Sequence, residues 1–131
     1  MQTRQRQYQT KEVTDSKGFV QTVYKIGNNF LTKKEVDRNA AFATRNLLRM
    51  ADSLNKNPND NKMTQKFQFE YNNLQELLGR PNTKIKVDSL LGKETQRAVL
   101  DVRKIAESMS SDRVFENLLR RDRIKLNMDM K

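Results

Sequence analysis

The fold is decided in residues 74–102, which read LQELLGRPNTKIKVDSLLGKETQRAVLDV. Gly79 predicts the end of one helix, because glycine favours the left-handed position that follows a helix C-terminus, and Pro81 prevents the helix from continuing. A turn-rich connection follows, and a new helix is expected just after Gly92. We therefore predict two helices joined by a compact connection, with the rest of the chain packed around this unit or leading away from it.

The end of the connection carries the most specific pattern. Asp88 predicts a cap, because its carboxylate can accept the free N–H groups of a short helical turn at residues 89–91. Gly92 suits a backbone position with positive φ that closes this turn and redirects the chain. Thr95 falls in the first turn of the next helix. The apolar stripe of that helix is formed by Ala98, Val99 and Val102.

Residues 64–107 resemble the peptidoglycan-binding domain family, the small helical modules of cell-wall hydrolases and phage lysins. The family reads Leu-Gln, an apolar pair, a loop, and then Val-Asp-Gly-x-x-Gly-x-x-Thr-x-x-Ala-Val. The matching residues here are Leu74, Gln75, Leu77, Leu78, Val87, Asp88, Gly92, Thr95, Ala98 and Val99. The departures are Ser89 in place of the first glycine, Lys93 where proline is common, and Val102-Arg103 where an aromatic residue and glutamine are usual.

The resemblance implies a helix–turn–short helix–helix module, which we place at residues 62–109. It also implies contact with wall glycan, although the matched residues are mostly those that determine the fold. The candidate ligand-binding residues are Asp88, Gly92, Thr95 and Arg97. Capping explains Asp88 better than catalysis does.

The N-terminal part predicts a β-hairpin and a long amphipathic helix in residues 18–57. Residues 18–26 are rich in β-branched and aromatic residues, and residues 27–29 have the composition of a turn. Residues 32–35 read Thr-Lys-Lys-Glu, the pattern of a capping box. The helix that follows has an apolar stripe formed by Val36, Ala40, Ala43, Leu47, Ala51 and Leu54.

Three further helices are expected. One runs from Met63 to Leu78, one from just after Gly92 to about Met109, and a last one from Arg113 to Leu126, inside a C-terminal region of residues 110–131. The fold class is therefore mainly α: a small helical bundle with a peptidoglycan-binding-like module, a short N-terminal β-hairpin and extended terminal arms.

The two ends are predicted to be arms. Residues 1–17 are polar and basic apart from Tyr8 and Val13, which predicts either a solvated tail or a segment that is ordered only by a partner. Met128 and Met130 stand in a polar tail and suggest docking onto another chain.

Composition limits the chemistry. The net charge is +10, so an anionic partner is expected: nucleic acid, a phosphate-bearing wall polymer or an acidic protein surface. Without cysteine there are no disulfides or thiolate metal sites, and without histidine the commonest general base and zinc ligand are missing. No phosphate loop or nucleophile elbow is present, so we predict no enzymatic activity, no metal and no cofactor.

The densest basic cluster is Arg120, Arg121 and Arg123. A solvated helix end explains it most simply, and no zinc-finger or RNA-recognition motif accompanies it. Non-specific phosphate contact needs no such motif, so these residues stay candidate nucleic-acid or anion-binding residues.

These features predict a non-catalytic structural or accessory protein of a large assembly, in the first place a bacteriophage virion component whose module contacts the wall or other subunits. The first residues lack the apolar stretch of a signal peptide and no segment could span a membrane, so we expect synthesis in a cytoplasm and a place in the virion. The alternative is a basic nucleic-acid-associated or ribosome-type protein whose arms bind the phosphate backbone.

Overall fold

The computed structural model describes residues 8–109 and 113–121. Within these ranges a small antiparallel sheet precedes four α-helices and one short 3₁₀ helix at Pro81–Thr83. The strands and helices are β1 Thr10–Thr14, β2 Val20–Ile26, β3 Asn29–Thr32, α1 Lys33–Lys56, α2 Asn61–Leu77, α3 Lys93–Ser108 and α4 Arg113–Arg121. The predicted mainly helical fold with a short N-terminal β structure is confirmed.

The sheet has one strand more than the sequence predicted. The β2–β3 hairpin forms as expected, but residues 10–14, placed in the N-terminal arm, pair with β2 along their whole length. The loop between them is fixed by Asp15, whose Oδ1 accepts from the backbone N–H groups of Lys17 and Phe19. Because β1 is stabilised by main-chain pairing and has only one half-buried apolar side chain, Val13, its polar sequence resembled a tail.

Tyr8 attaches this N-terminal segment to the helices. Its hydroxyl donates to the backbone oxygen of Leu77 at the end of α2, at 2.9 Å. Its ring lies against Gly79 and meets the ring of Tyr24 edge to face, with centroids 5.0 Å apart. Residues 8–14 therefore contact their own chain, through β1 and Tyr8, where the sequence predicted an extended arm. Residues 1–7 lie outside the described residues.

Helix α1 is the centre of the fold, because it contacts the other three helices as well as β2 and β3. Its predicted capping box is present: the Glu35 N–H donates to Thr32 Oγ1 at 3.2 Å, and the Thr32 N–H donates to Glu35 Oε1 at 2.9 Å. Every residue of its predicted apolar stripe is buried: Val36, Ala40, Ala43, Leu47, Ala51 and Leu54.

The connection between α2 and α3 departs from the prediction in two ways. Residues 89–91 form no helical turn, and the one short helix in this part of the chain lies earlier, at Pro81–Thr83. Gly92 has φ −87° and ψ −169°, which is extended backbone, and serves as the N-cap of α3. The expected positive φ is found at Ser89 instead, where it is 65°. Gly92 therefore does not close a turn.

The C-terminal part is described as far as α4. This helix begins at the predicted residue and buries Phe115, Leu118 and Leu119. The predicted continuation to Leu126 and the tail with Met128 and Met130 lie outside the described residues. Among the helices of the described ranges, none combines the length and the apolar composition that a membrane crossing requires.

Candidate functional site

Three amide side chains on one face of α2 hold the connection to α3. Gln68, Asn72 and Gln75 recur at steps of four and three residues, so they form a row along the helix. Their partners within the connection lie in residues 83–90 and follow the reverse order, because the connection runs back along α2. We call these three residues the amide row.

Gln68 makes the most extensive contacts of the row and is fully buried. Its Nε2 donates to Asp88 Oδ1 at 2.9 Å, to Thr95 Oγ1 at 2.8 Å and to the Leu90 oxygen at 3.1 Å. Its Oε1 accepts from the backbone N–H groups of Asp88, at 3.1 Å, and Ser89, at 2.9 Å. One side chain thus joins α2, the connection and the first turn of α3.

The other two amides fix the first half of the connection. Asn72 binds both main-chain groups of Ile85: its Nδ2 donates to the oxygen and its Oδ1 accepts from the N–H, each at 2.8 Å. Gln75 is fully buried and pairs with the hydroxyl of Thr83. The connection is therefore held at three points along α2.

The predicted ligand-binding residues have different positions in this arrangement. Asp88 and Thr95 are brought together by Gln68; Thr95 is buried, whereas Asp88 is exposed and accepts these hydrogen bonds through Oδ1. Gly92 caps α3 through its backbone and has open space around its α-carbon. Arg97 is exposed on α3 and makes no hydrogen bond to any described residue. Among the four predicted residues, Arg97 and Oδ2 of Asp88 are polar groups that are accessible and make no hydrogen bond to any described residue.

Asp88 is held in its ionised form. The backbone N–H of Leu90 and the amide of Gln68 donate to its carboxylate, and these hydrogen bonds lower the pKa of Asp88 below its ordinary value of 3.8. The carboxylate of Asp88 accepts from the backbone N–H of Leu90, two residues later, so the chain turns directly after Asp88. The left-handed backbone of Ser89, with φ 65°, is what excludes a right-handed helical turn after Asp88.

The lowered pKa of Asp88 predicts a pH dependence of stability. The ionised form is favoured in the folded state, so its contribution is complete above pH 3.8 and is lost as the pH falls through the lower pKa of the folded state. In urea titrations, the difference in unfolding free energy between the parent and Asp88→Asn should be largest near neutral pH and shrink in acid. A difference that grows in acid would contradict this assignment.

Ser89 has the strained backbone of the connection. A non-glycine residue in the left-handed region costs about 1–2 kcal/mol, which exceeds the entropic cost of about 0.5–1 kcal/mol that glycine adds. Ser89→Gly should therefore raise the free energy of unfolding by roughly 0.5–1 kcal/mol. Ser16→Gly, in an exposed loop and without positive φ, is the control and should not stabilise. Equal effects at the two positions would argue against strain at Ser89.

The accessible part of the site is apolar and cationic. Lys93, Arg97, Leu100 and Lys104 are all exposed and recur at steps of four, three and four residues along α3. We call these four residues the α3 surface. Its three cations make no ion pair with any described residue. Leu100 is 58% exposed, and Leu90, just before the helix, is 62% exposed.

The predicted arginine cluster is described only in part. Arg120 is exposed and pairs with Glu116 one turn earlier, at 2.7 Å. This pair matches the simple interpretation of a solvated helix end. The side chain of Arg121 and the whole of Arg123 lie outside the described part of the structure.

The acids near the site are also engaged in the fold. Glu94 accepts from the backbone N–H of Lys86, and Asp101 accepts from the Tyr71 hydroxyl at 2.6 Å. Residues 8–109 and 113–121 contain no group of three or more potential metal ligands. The carboxylates of Glu94 and Asp101 thus both accept hydrogen bonds within the fold.

The amide row was missed by the sequence analysis. Its signal was present, because Gln68, Asn72 and Gln75 follow helical spacing beside the apolar stripe of Phe67, Tyr71 and Leu74. Polar residues next to an apolar stripe are usually solvated, so the spacing alone did not reveal buried partners.

Comparison of the chain with protein-family models, with curated proteins and with solved structures gave no match.

Proposed function

We propose that this protein is a non-catalytic structural or accessory component of a large assembly, in the first place a bacteriophage virion. The observation that carries the proposal is the division of roles at the candidate site. Gln68 and Thr95 are buried and bound to each other within the fold, whereas Asp88, the α3 surface and Leu90 are accessible. Such a site holds a partner and offers no converging reactive groups.

The composition of the accessible residues supports a macromolecular partner. Exposed leucines next to unpaired cations fit a surface with apolar and acidic groups, such as another subunit or an anionic wall polymer. The rigid attachment of the connection supports this role, because a surface that is already ordered loses little entropy when it binds.

One backbone feature supports the resemblance to peptidoglycan-binding domains. The positive φ of Ser89 falls at the position where that family has glycine. The chain thus places a left-handed residue where the family pattern supplies the residue best suited to it. We propose on this basis that residues 62–109 act as a peptidoglycan-binding-like module, for wall or subunit contacts.

Sedimentation of a lysate from the source cells tests the proposal. The chain, quantified by mass spectrometry, is expected in fast-sedimenting particles, and its presence only at the position of a free 15.4 kDa protein would refute assembly. A parallel pull-down with purified sacculi separates wall contact from subunit contact. Zymography on purified walls should give no cleared band, and a band lost in Glu94→Gln would refute the non-catalytic role.

A second candidate function is non-specific nucleic-acid binding. The observation in its favour is that Lys93, Arg97 and Lys104 lie on one exposed face without described ion pairs. If they contact phosphates, the logarithm of the association constant falls linearly with the logarithm of the salt concentration. Arg97→Gln should reduce that slope by about 1. An unchanged slope would exclude the α3 surface as the phosphate contact.

A further inference from the structure

The N-terminal sheet packs on the helices with one of its two faces. Ile26 of β2 and Leu31 of β3 lie against the helical core, and Tyr24, on the same face, meets Tyr8. Side chains alternate between the faces of a sheet. In this register the odd-numbered residues of β1 and β2 and the even-numbered residues of β3 therefore lie on the other face.

The pairing of β1 with β2 continues one residue beyond the two strands. The N–H of Asp15 donates to the backbone oxygen of Phe19 at 2.9 Å, so Phe19 lies on the same face as Gln21. The side chains of this second face are exposed or half-buried at six positions. We call these six residues the open sheet face: Lys11, Val13, Phe19, Gln21, Lys25 and Phe30.

A ring and two cations lie together at one end of the open sheet face. Nζ of Lys11 is 4.0 Å from the centre of the Phe30 ring. Because Lys11 belongs to β1 and Phe30 to β3, the lysine side chain crosses the central strand to reach the ring. Lys25 stands directly opposite Phe30 in the register. The Phe30 side chain is still 42% exposed, so the ring and both cations are accessible to one ligand.

The charge of the open sheet face favours an anionic ligand. Lys11 and Lys25 make no ion pair with any described residue. The acid on this side of the sheet is Asp15, whose Oδ1 already accepts from two backbone N–H groups. Lys17, in the same loop, is exposed and has no described ion pair either. Charge complementarity therefore points to a polyanion.

The two phenylalanines of this face are too far apart to form one apolar cluster. Phe19 is 67% exposed, and Phe30 stands opposite the residue six positions further along the sheet. At about 3.3 Å per residue, these two positions are about 20 Å apart. Protein partners bind mainly through an apolar cluster at the centre of the interface, which this face lacks. A single nucleic-acid strand has the matching arrangement, because its flat bases are spaced along a chain of phosphates.

We propose that the open sheet face binds single-stranded nucleic acid. Unpaired bases stack on Phe19 and Phe30, and phosphates lie beside Lys11 and Lys25. Proteins bind single strands without sequence preference by this combination of aromatic rings and cations. The site is separate from the α3 surface and requires bases as well as phosphates. The inference goes beyond the proposed function and does not depend on it.

Fluorescence anisotropy with a labelled oligothymidine of about 16 nucleotides tests the proposal. An abasic strand of the same length carries the same phosphates without bases, so it should bind the full-length protein at least about fivefold more weakly. An oligouridine of the same length shows whether the site takes RNA as well as DNA. Equal affinity for the abasic strand and the oligothymidine, or no binding of the oligothymidine, would overturn the proposal.

Substitutions of Phe19 test the stacking. Phe19→Ala should weaken binding of the oligothymidine at least about fivefold. Phe69→Ala is the matched control, because Phe69 is 63% exposed on α2, away from the sheet, and its removal should leave the affinity unchanged. Phe19→Tyr should retain binding and Phe19→Leu should lose it, since only tyrosine keeps the ring. Full affinity in a folded Phe19→Leu variant, judged by circular dichroism, would overturn stacking on this residue.

A substitution of Lys25 tests the phosphate contact. Lys25→Gln should reduce the dependence of the logarithm of the association constant on the logarithm of the salt concentration by about 0.7. Lys62→Gln removes the same charge at an exposed position on α2 and should leave this slope unchanged. Equal slopes in the two variants would exclude the open sheet face as the phosphate contact. These failures would not affect the proposed function, which is tested by sedimentation of the assembly.

Discussion

Replacing Gln68 with leucine should lower the free energy of unfolding by about 3 kcal/mol, because each buried polar group left without a partner costs about 1–3 kcal/mol. Leucine fills most of the volume but removes the acceptor for the N–H groups of Asp88 and Ser89 and the donor to Thr95. Urea denaturation measures the loss. Gln68 is the one side chain of α2 that forms hydrogen bonds to the second half of the connection in the described structure.

Gln65→Leu is the matched control for this experiment. Gln65 lies on the same helix but is exposed, so the substitution should change stability by less than about 0.5 kcal/mol. Amide hydrogen exchange adds a local readout, since the N–H groups of Asp88 and Ser89 should lose their protection first in Gln68→Leu. A loss of stability no larger than that of Gln65→Leu would mean that Gln68 does not hold the connection.

The substitution Gly79→Ala should have the second large effect and lower the free energy of unfolding by about 3 kcal/mol. Backbone strain of about 1–2 kcal/mol adds to a steric clash at this position. Gly79 has φ +68°, and a β-carbon there would lie 2.7 Å from Cζ of Tyr8. The ring is held by its hydrogen bond to Leu77, so it cannot move away without losing that bond.

The variant Gly27→Ala separates backbone strain from steric clash as causes of the lost stability. Gly27 has a similar φ of +61°, but a β-carbon there meets nothing within 4 Å. Its substitution should cost only about 1 kcal/mol, the strain alone. Thermal or urea unfolding of the two variants measures the difference, and equal losses would rule out the contact with Tyr8.

The double variant Tyr8→Ala/Gly79→Ala tests the contact directly. Removing the ring relieves the clash. The loss of unfolding free energy in the double variant should therefore be smaller, by at least about 1 kcal/mol, than the sum of the losses in the two single variants. Strict additivity would show that Tyr8 does not lie on Gly79. The docking of the N-terminal segment on α2 would then be in doubt.

Features that depend on neighbouring residues were predictable from the sequence. The capping box at Thr32 and Glu35 involves groups three residues apart, and the buried stripe of α1 follows from the helical period. The C-terminal end of α2 and the start of α3 followed from Gly79 and Gly92 for the same reason.

Features that depend on distant residues were not predictable. Asp88 was expected to cap a helical turn, but its partners include Gln68, twenty residues earlier. Because Gln68 fixes the chain at Asp88 and Ser89, the positive φ is at Ser89 and Gly92 is left as an extended N-cap. Strand β1 was missed similarly, since its stability comes from pairing with β2 and not from its own apolar residues.

At the candidate site, too, features set by neighbouring residues were predictable and those set by distant residues were not. The sequence predicted that Arg97 lies on a helix, as it does, and named Asp88 and Thr95 as candidate ligand-binding residues, but it could not show that a buried amide joins the latter two. It also indicated a basic protein without showing which cations are free of ion pairs. Only the three-dimensional arrangement separates the α3 surface from residues used in the fold.

The central claim, that the α3 surface and Leu90 contact other components of an assembly, is tested most directly by competition for incorporation. The parent chain and a Leu90→Asp/Leu100→Asp variant are produced together in the source cells, and mass spectrometry gives their ratio in the fast-sedimenting particles. A second variant with aspartates at the exposed polar positions Gln65 and Asn82 is the control. We expect the leucine variant to be depleted by at least about tenfold and the control to be incorporated normally. Equal incorporation of the leucine variant, with an unchanged melting temperature, would contradict the claim.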